Sequence, residues 1–379
     1  MAELKDLLFY GEPKEDDLRE RAEKYDFSSL SPLEHLRWDY EFAAQLQKRD
    51  SSFLLKGGAA TQLFLEPSSQ RGSKDIDILT SSSGPQIEKA MNEIEKDFSK
   101  LGMEVRRYEP RNPHPKLPLL TWEAILPGFH TEKCVIKIEF LSEDMKLEEC
   151  QIDEWETLAL LVKNTKCISQ GSLVGDKLLT LASKTIGVEV EDRPKQLYDV
   201  DSLVYSRGLD KKDVEETIRA VSTIAPVEAQ YRELDVTIPI VLDDVAETLS
   251  HYSKADISTG DRTVGRANTA FDGYYVARNR ALTANGWSCR ALRVRLLSDL
   301  LKRHVEGKMS LDEVVSSIEK IRRLSPDASN SREDIRPVLV PMLRQNPRPL
   351  RGKPVERIIW EVLTIENIDE VADLVRPIS

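Results

Sequence analysis

Residues 54–79 read LLKGGAATQLFLEPSSQRGSKDIDIL, and their pattern is the strongest indication of the fold in this sequence. A short apolar run ends at Gly57 and Gly58, where a helix is predicted to begin, and a second apolar run carries Asp75 and Asp77 alternating with isoleucines. Because side chains alternate between the two faces of a strand, both carboxylates are predicted to share one face. The stretch therefore predicts a strand, a glycine turn, a helix and a second strand with an acidic face.

The two aspartates on this predicted strand favour a divalent cation. Like charges a few ångströms apart repel each other unless a cation lies between them. Mg²⁺ suits them because it binds few protein carboxylates and leaves its other positions to water and substrate phosphates. The glycine pair would let backbone amides approach those phosphates, with the positive end of the next helix behind them. The alternatives are an ordinary turn and a solvated edge strand.

Composition limits the class of protein. A chain of 379 residues predicts two or three domains, and 40% hydrophobic with 31% charged residues is typical of a water-soluble globular protein. We find no apolar run long enough to cross a bilayer and no signal-peptide pattern, which favours the cytoplasm and argues against a membrane partner. Four cysteines without C-x-x-C spacing favour free thiols over disulfides or structural zinc.

A third acidic residue is predicted on a later strand, residues 134–141. Lys137 and Glu139 share one face of that strand, and isoleucines and a phenylalanine occupy the other. Beside a strand that carries two aspartates, Glu139 is the natural third carboxylate. Glu143 and Asp144 lie close by and are the alternatives.

The order of a glycine pair, a helix and a D-I-D strand resembles the signature of the DNA polymerase beta-like nucleotidyltransferase superfamily. The form R-x-S-x-D-I-D, from Arg71 and Ser73 to Asp77, is similar to that of its AbiEii/AbiGii toxin family, which includes the MenT-type enzymes. Two later stretches, DKLLTLAS at 176–183 and RPKQLYDVDSL at 193–203, resemble the last two motifs of that family.

The resemblance covers residues 50–207 and implies roles for two later residues. Lys177 would bind the phosphates of the nucleotide as a mobile point charge, and Asp199 would orient that lysine or act as a base. Two departures from the family pattern keep a non-catalytic nucleotide- or RNA-binding protein open as an alternative. Ala59 stands where a serine or threonine is usual, with Thr61 as a substitute, and three residues separate the preceding basic residue from Asp199.

The fold class that the resemblance implies is α+β, a polymerase beta-like core of a small mixed sheet flanked by helices, followed by a mainly helical C-terminal part. Ser31 and Glu34 predict a capping box for a helix over residues 32–49, which we expect the sheet to cover. The expected divisions are a helical lead-in at 1–50, a catalytic core at 51–168, a helical region completing the active site at 169–255 and a partly basic helical domain at 256–379.

The reaction that the resemblance implies moves a nucleoside monophosphate from a nucleoside triphosphate to an acceptor hydroxyl. The acceptor that it favours is the 3′ end of transfer RNA. One or two Mg²⁺ ions would be held by Asp75, Asp77 and Glu139. The nucleotide would be bound by Lys56, Gly57, Gly58, Arg71, Ser73 and Lys177. A small-molecule or protein acceptor and a kinase-like phosphotransfer are alternatives. A toxin-like enzyme would also have an antitoxin partner.

The acceptor site is predicted from an uneven distribution of charge. The chain has a net charge of −11, yet residues 262–303 contain nine basic and two acidic residues. Aromatic rings interleaved with arginines suit a single-stranded nucleic-acid end, and a solvated basic helix is the alternative. The candidate acceptor-binding residues are Arg278, Arg280, Arg290 and Arg293. A second basic cluster spans 344–357, and residues 257–273 have the composition of a surface loop.

Overall fold

The computed structural model describes residues 7–109, 118–129, 131–143, 145–254, 262–324, 336–343 and 354–375. The chain forms two compact units. The first comprises Met1–Leu173 and Phe271–Ala281, and the second comprises Val174–Ala270 and Leu282–Ser379. Across the described ranges, every helix is too short or too polar to span a bilayer.

The first unit is built on a seven-stranded sheet with helices. Its elements are α1 Glu15–Lys24, α2 Ser31–Arg49, β1 Leu54–Lys56, α3 Gly57–Gln62, β2 Asp75–Thr80, α4 Gly84–Ser99, β3 Glu104–Tyr108, β4 Leu119–Pro127, β5 Lys133–Ser142, β6 Glu149–Glu156 and β7 Leu161–Ile168. The strand order is β3-β4-β5-β2-β1-β7-β6. The β2–β5 and β1–β7 pairs are parallel and the other pairs are antiparallel, which confirms the predicted mixed sheet.

The sheet is held in place by the helices that cover its apolar side chains. Ile76 and Ile78 of β2 are fully buried, and helices α2 and α4 pack against the strands. Every residue of α2 from position 32 to position 46 is buried, as expected for a helix covered by the sheet. Phe42 and Phe98 join α2 to α4 with ring centroids 5.0 Å apart. Each such buried aromatic side chain contributes about 1.5–3 kcal/mol to folding.

The start of α2 differs from the prediction. The helix occupies the predicted residues, but its N-cap residue is Leu30, which makes no side-chain cap, and Ser31 is the first helical residue. Glu34 Oε1 accepts a hydrogen bond of 2.9 Å from the backbone N–H of Phe129 instead. A tertiary partner thus takes the carboxylate that the local pattern assigned to a capping box.

The remaining elements are helices, which confirms the predicted mainly helical C-terminal part. They are α5 Gln170–Leu179, α6 Arg193–Asp201, α7 Lys211–Tyr231, α8 Ile238–Lys254, α9 Arg262–Tyr275, α10 Ala284–Val305, α11 Leu311–Arg323, α12 Arg336–Leu339, α13 Val355–Val362 and α14 Ile368–Val375. In the second unit, α10 packs against α6, α8, α11 and α13.

The predicted surface loop at 257–273 is wrong for residues 262–273, which belong to α9. Val264, Ala267 and Phe271 are buried and recur at helical spacing, and this periodicity outweighs the glycine and threonine content. Residues 257–261 of that prediction lie outside the described residues.

Candidate active site

The acidic face of the sheet is formed by two neighbouring parallel strands. Asp77 of β2 lies directly opposite Glu139 of β5, and Asp75 lies opposite Lys137. On the other side of β2, Lys56 of β1 lies opposite Asp77. Paired residues on adjacent strands project to the same face, and the strands run about 4.8 Å apart. The two aspartates and Glu139 are partly exposed, so a ligand can reach this face.

Gly57 brings the backbone against the Asp77 carboxylate. Its φ of +69° is in the left-handed region. A Cβ atom at this position would lie 1.8 Å from Asp77 Oδ2, far inside van der Waals contact. Both the backbone conformation and the space therefore require glycine here.

Gly58 brings the same turn against Arg71 and Ser73. A Cβ atom on Gly58 would lie 3.1 Å from both Arg71 Nη2 and Ser73 Oγ. Gln62 links the two segments, because its Nε2 donates to the Gly58 carbonyl over 2.8 Å and its Oε1 accepts from the Arg71 N–H over 2.9 Å. Thr61, the candidate substitute for a missing serine, is fully buried and donates to the Gly57 carbonyl.

A distant part of the chain covers Arg71. The guanidinium carbon lies 5.9 Å from the ring centroids of both Phe271 and Tyr275, and Arg71 is 2% exposed. The N–H of Gly72 donates to the Tyr275 carbonyl over 2.8 Å. Lys74 Nζ lies 4.8 Å from the Tyr274 ring. The segment Phe271–Ala281 therefore fixes the loop that carries Arg71 and Ser73.

Asp39 of α2 is an acidic residue at this site that sequence reasoning missed. It is fully buried. Burial, together with the charges of Asp75 and Asp77, raises the pKa of the Asp39 carboxyl well above its usual range, although Ser73 and Arg71 oppose the shift. Only tertiary packing brings this helical residue to the acidic face. In sequence, the one available signal is a carboxylate within the aromatic run Trp38 to Phe42.

The carboxylates on this face fit Mg²⁺ better than a metal ion whose ligands all come from protein side chains. Within the described residues, no three His, Cys, Asp or Glu side chains converge to hold an ion by themselves. Mg²⁺ typically uses one or two carboxylates and completes its shell with water and substrate phosphates. Asp77 and Glu139, opposite each other and partly exposed, match that requirement.

In the second unit, Lys177 and Asp199 form a buried ion pair. Lys177 Nζ lies 2.7 Å from Asp199 Oδ2, and the two side chains are 3% and 0% exposed. The same ammonium donates to Gln196 Oε1 over 3.2 Å. Asp199 therefore holds the lysine in one orientation.

Arg290 and Arg293 are not available as a surface for phosphates, contrary to expectation. Both are buried in the second unit. Arg293 Nε and Nη2 donate to the Asp201 carboxylate over 2.8 and 2.9 Å, and Arg290 Nη1 lies 3.2 Å from the same carboxylate. Their charge is used to join α10 to α6.

The other two predicted acceptor arginines lie in the first unit. Arg278 has a 67% exposed side chain and pairs with Asp26 over 2.6 Å. Arg280 donates to the Ser68 carbonyl. In the C-terminal basic cluster, Arg357 is buried and pairs with Glu361, and residues 344–353 lie outside the described residues.

Comparison with known proteins finds one matching protein family. Residues 42–225 match the family described as nucleotidyl transferase AbiEii toxin of type IV toxin–antitoxin systems. No curated protein matches the chain.

Several solved structures are similar at low identity. MenT4, a nucleotidyltransferase toxin from Mycobacterium tuberculosis, is 12% identical with a TM-score of 0.46, covering 79% of this chain and 98% of its own. JHP933 from Helicobacter pylori is 14% identical with a TM-score of 0.39, covering 74% and 95%. An antigenic nucleotidyltransferase-like protein from Paracoccidioides brasiliensis is 12% identical with a TM-score of 0.34, covering 54% and 94%.

Proposed function

Since this chain belongs, through residues 42–225, to the AbiEii toxin family of nucleotidyltransferases, we propose that it transfers a nucleoside monophosphate from a nucleoside triphosphate to an RNA 3′ hydroxyl with the help of Mg²⁺. The observation that carries the proposal is the pairing of Asp77 with Glu139 beside a turn where only glycine fits. A carboxylate pair next to closely approachable backbone amides suits a metal-bound triphosphate.

Asp77 and Glu139, with Asp75 beside them, would hold the metal ion. Mg²⁺, when bound, neutralises charge on the phosphates and lowers the pKa of the attacking hydroxyl. The turn at Gly57 and Gly58 would receive the β- and γ-phosphates. Arg71 and Ser73 are proposed phosphate contacts on the strength of the family motif, and both lie buried beside Gly58.

The reaction itself needs little covalent chemistry from the protein. The acceptor oxygen bonds to the α-phosphorus, the bond from that phosphorus to the bridging oxygen breaks, pyrophosphate leaves and the hydroxyl proton passes to solvent. Alignment and charge neutralisation then supply the rate. The family resemblance implies that Lys177 binds the triphosphate; in the second unit this lysine is buried and paired with Asp199.

RNA is proposed as the acceptor on two grounds, the toxin family and two exposed basic residues of the 262–303 segment. Arg262 and Arg266 are exposed on α9 and line a shallow pocket with Thr269. The other seven basic side chains of 262–303 contact acidic partners or a backbone carbonyl. We propose a cytoplasmic reaction, since nucleoside triphosphates and RNA are found there, and an antitoxin partner, since the matched family belongs to type IV toxin–antitoxin systems.

The test is to incubate the full chain with each α-labelled nucleoside triphosphate, Mg²⁺ and total RNA, and to follow the label. We expect label in RNA and release of pyrophosphate, both abolished by EDTA. Asp77→Asn should lose transfer by at least about 100-fold, because it removes one carboxylate of the proposed metal pair. Asp153→Asn is the matched control, an exposed aspartate on β6 of the same sheet, and it should keep full activity.

Other outcomes identify other functions. Label in a small molecule or in protein would replace the RNA acceptor. Release of a nucleoside diphosphate in place of pyrophosphate would indicate a kinase-like phosphotransfer. If Mg²⁺ failed to increase nucleotide affinity and Asp77→Asn left that affinity unchanged, a non-catalytic binding protein on this fold would be the better description.

A further inference from the structure

A continuous row of side chains crosses the sheet beyond the acidic residues. Lys56 on β1 lies opposite Asp77, Asp77 opposite Glu139, Glu139 opposite Thr121 on β4, and Thr121 opposite Tyr108 on β3. Residues paired in register project to one face, so all five belong to the acidic face of the sheet. At about 4.8 Å per strand, Tyr108 lies roughly 10 Å from Glu139.

The far end of this row has the chemistry of a nucleotide subsite. The Tyr108 ring is partly exposed, and Lys137 Nζ lies 5.3 Å from its centroid. Lys137 is itself opposite Asp75, so an aromatic ring and a cation lie together next to the acidic pair. A ring that stacks a base and an ammonium that meets a phosphate are the two elements of single-strand recognition.

The direction of the reaction decides which substrate this subsite takes. In phosphoryl transfer the attacking and leaving oxygens lie roughly in line on opposite sides of the phosphorus. The glycine turn and Arg71 lie on the β1 side of Asp77, where the proposed function puts the leaving pyrophosphate. The attacking hydroxyl must therefore arrive from the opposite side, along β5, β4 and β3.

We propose that Tyr108 and Lys137 bind the acceptor strand, with Tyr108 stacking on a base near its 3′ end and Lys137 contacting a phosphate. This inference rests on the proposed nucleotidyl transfer and adds the side from which the acceptor enters. It gives the outer half of the sheet a role in acceptor choice. The nucleoside triphosphate does not use this subsite.

The test combines RNA binding and transfer with a fluorescein-labelled single-stranded RNA oligonucleotide. Tyr108→Leu should raise the KM for this RNA and weaken its binding by about tenfold, because one stacked base is lost. Tyr108→Phe keeps the ring and should stay within about twofold of wild type. Lys137→Met should weaken RNA binding and lower the slope of log affinity against log salt by about one.

The controls separate this inference from the proposed function. Lys163→Met removes the same charge from an exposed side chain on β7 and should change neither KM nor the salt slope. Nucleotide affinity, measured by calorimetry without RNA, should be the same in Tyr108→Leu and wild type. If wild type transfers label to RNA and Tyr108→Leu does so with an unchanged KM, the inference is overturned alone. Absence of transfer by wild type would remove the proposed function and this inference together.

Discussion

Substituting Gly57 by alanine tests whether the glycine turn positions Asp77. A Cβ atom would lie 1.8 Å from Asp77 Oδ2, whereas such contacts are not found below 3.0 Å, so the carboxylate must move by about 1.2 Å. A displacement of about 1 Å in a reacting site lowers rates by about 100-fold. The left-handed φ of +69° adds about 1–2 kcal/mol of strain to the folded state.

Gly102 supplies the matched control. Its φ is +74°, but a Cβ atom there would meet nothing within 4 Å. Gly102→Ala should therefore lower the free energy of unfolding by about 1–2 kcal/mol, as in Gly57→Ala, and keep wild-type activity. The difference in activity between the two variants therefore reports the effect of the displaced carboxylate, separately from the effect of backbone strain.

The assay pairs urea denaturation with label transfer from an α-labelled nucleoside triphosphate. We expect both variants to lose comparable unfolding free energy, with any excess in Gly57→Ala coming from the clash. Only Gly57→Ala should lose transfer by about 100-fold or more. Equal activity in the two variants would refute the idea that contact between the turn and Asp77 sets the site.

Three further predictions concern buried charges. Asp199→Asn should destabilise the protein by about 3–5 kcal/mol in urea denaturation, since it leaves the Lys177 ammonium buried, and Lys177→Met combined with Asp199→Leu should cost less than the single change. Asp201→Asn should cost a similar amount, while RNA affinity of the folded protein stays unchanged, because Arg290 and Arg293 are not exposed to RNA. Asp39→Asn should stabilise the protein in EDTA, by more at pH 8 than at pH 5. The raised pKa of Asp39 means that folding disfavours its charged form, so the wild-type protein gains stability as the pH falls toward the usual aspartate range. A pH-independent effect of Asp39→Asn on unfolding free energy would contradict that account.

The inner part of the sheet was predictable because its signals are local. The alternation in DIDIL fixes which side chains share a face, and the same parity in β5 assigns Glu139 to the face of Lys137. Strand β6 has no such signal, because ECQIDEWE carries polar residues on both faces, and all eight of its residues are exposed or half-buried. Its pairing with β7 comes from the fold as a whole.

The errors at basic residues have a common physical cause. The sequence shows charges but not their partners, so it predicts an exposed basic surface at Arg290 and Arg293, whereas Asp201 neutralises both inside the second unit. Asp39 is the converse case, a carboxylate that packing alone brings to the acidic face. In each case a residue distant in sequence decides the environment.

The aromatic cover of Arg71 bears on how the enzyme can be dissected. The matched family segment ends at residue 225, yet Phe271 and Tyr275, whose rings cover that guanidinium, come some fifty residues later. A fragment cut at the family boundary would retain every signature side chain and still present Arg71 to water on its covered side. The motif-bearing segment is therefore not a self-sufficient folding piece, because Phe271–Ala281 belongs to the same compact unit and a working fragment has to include it.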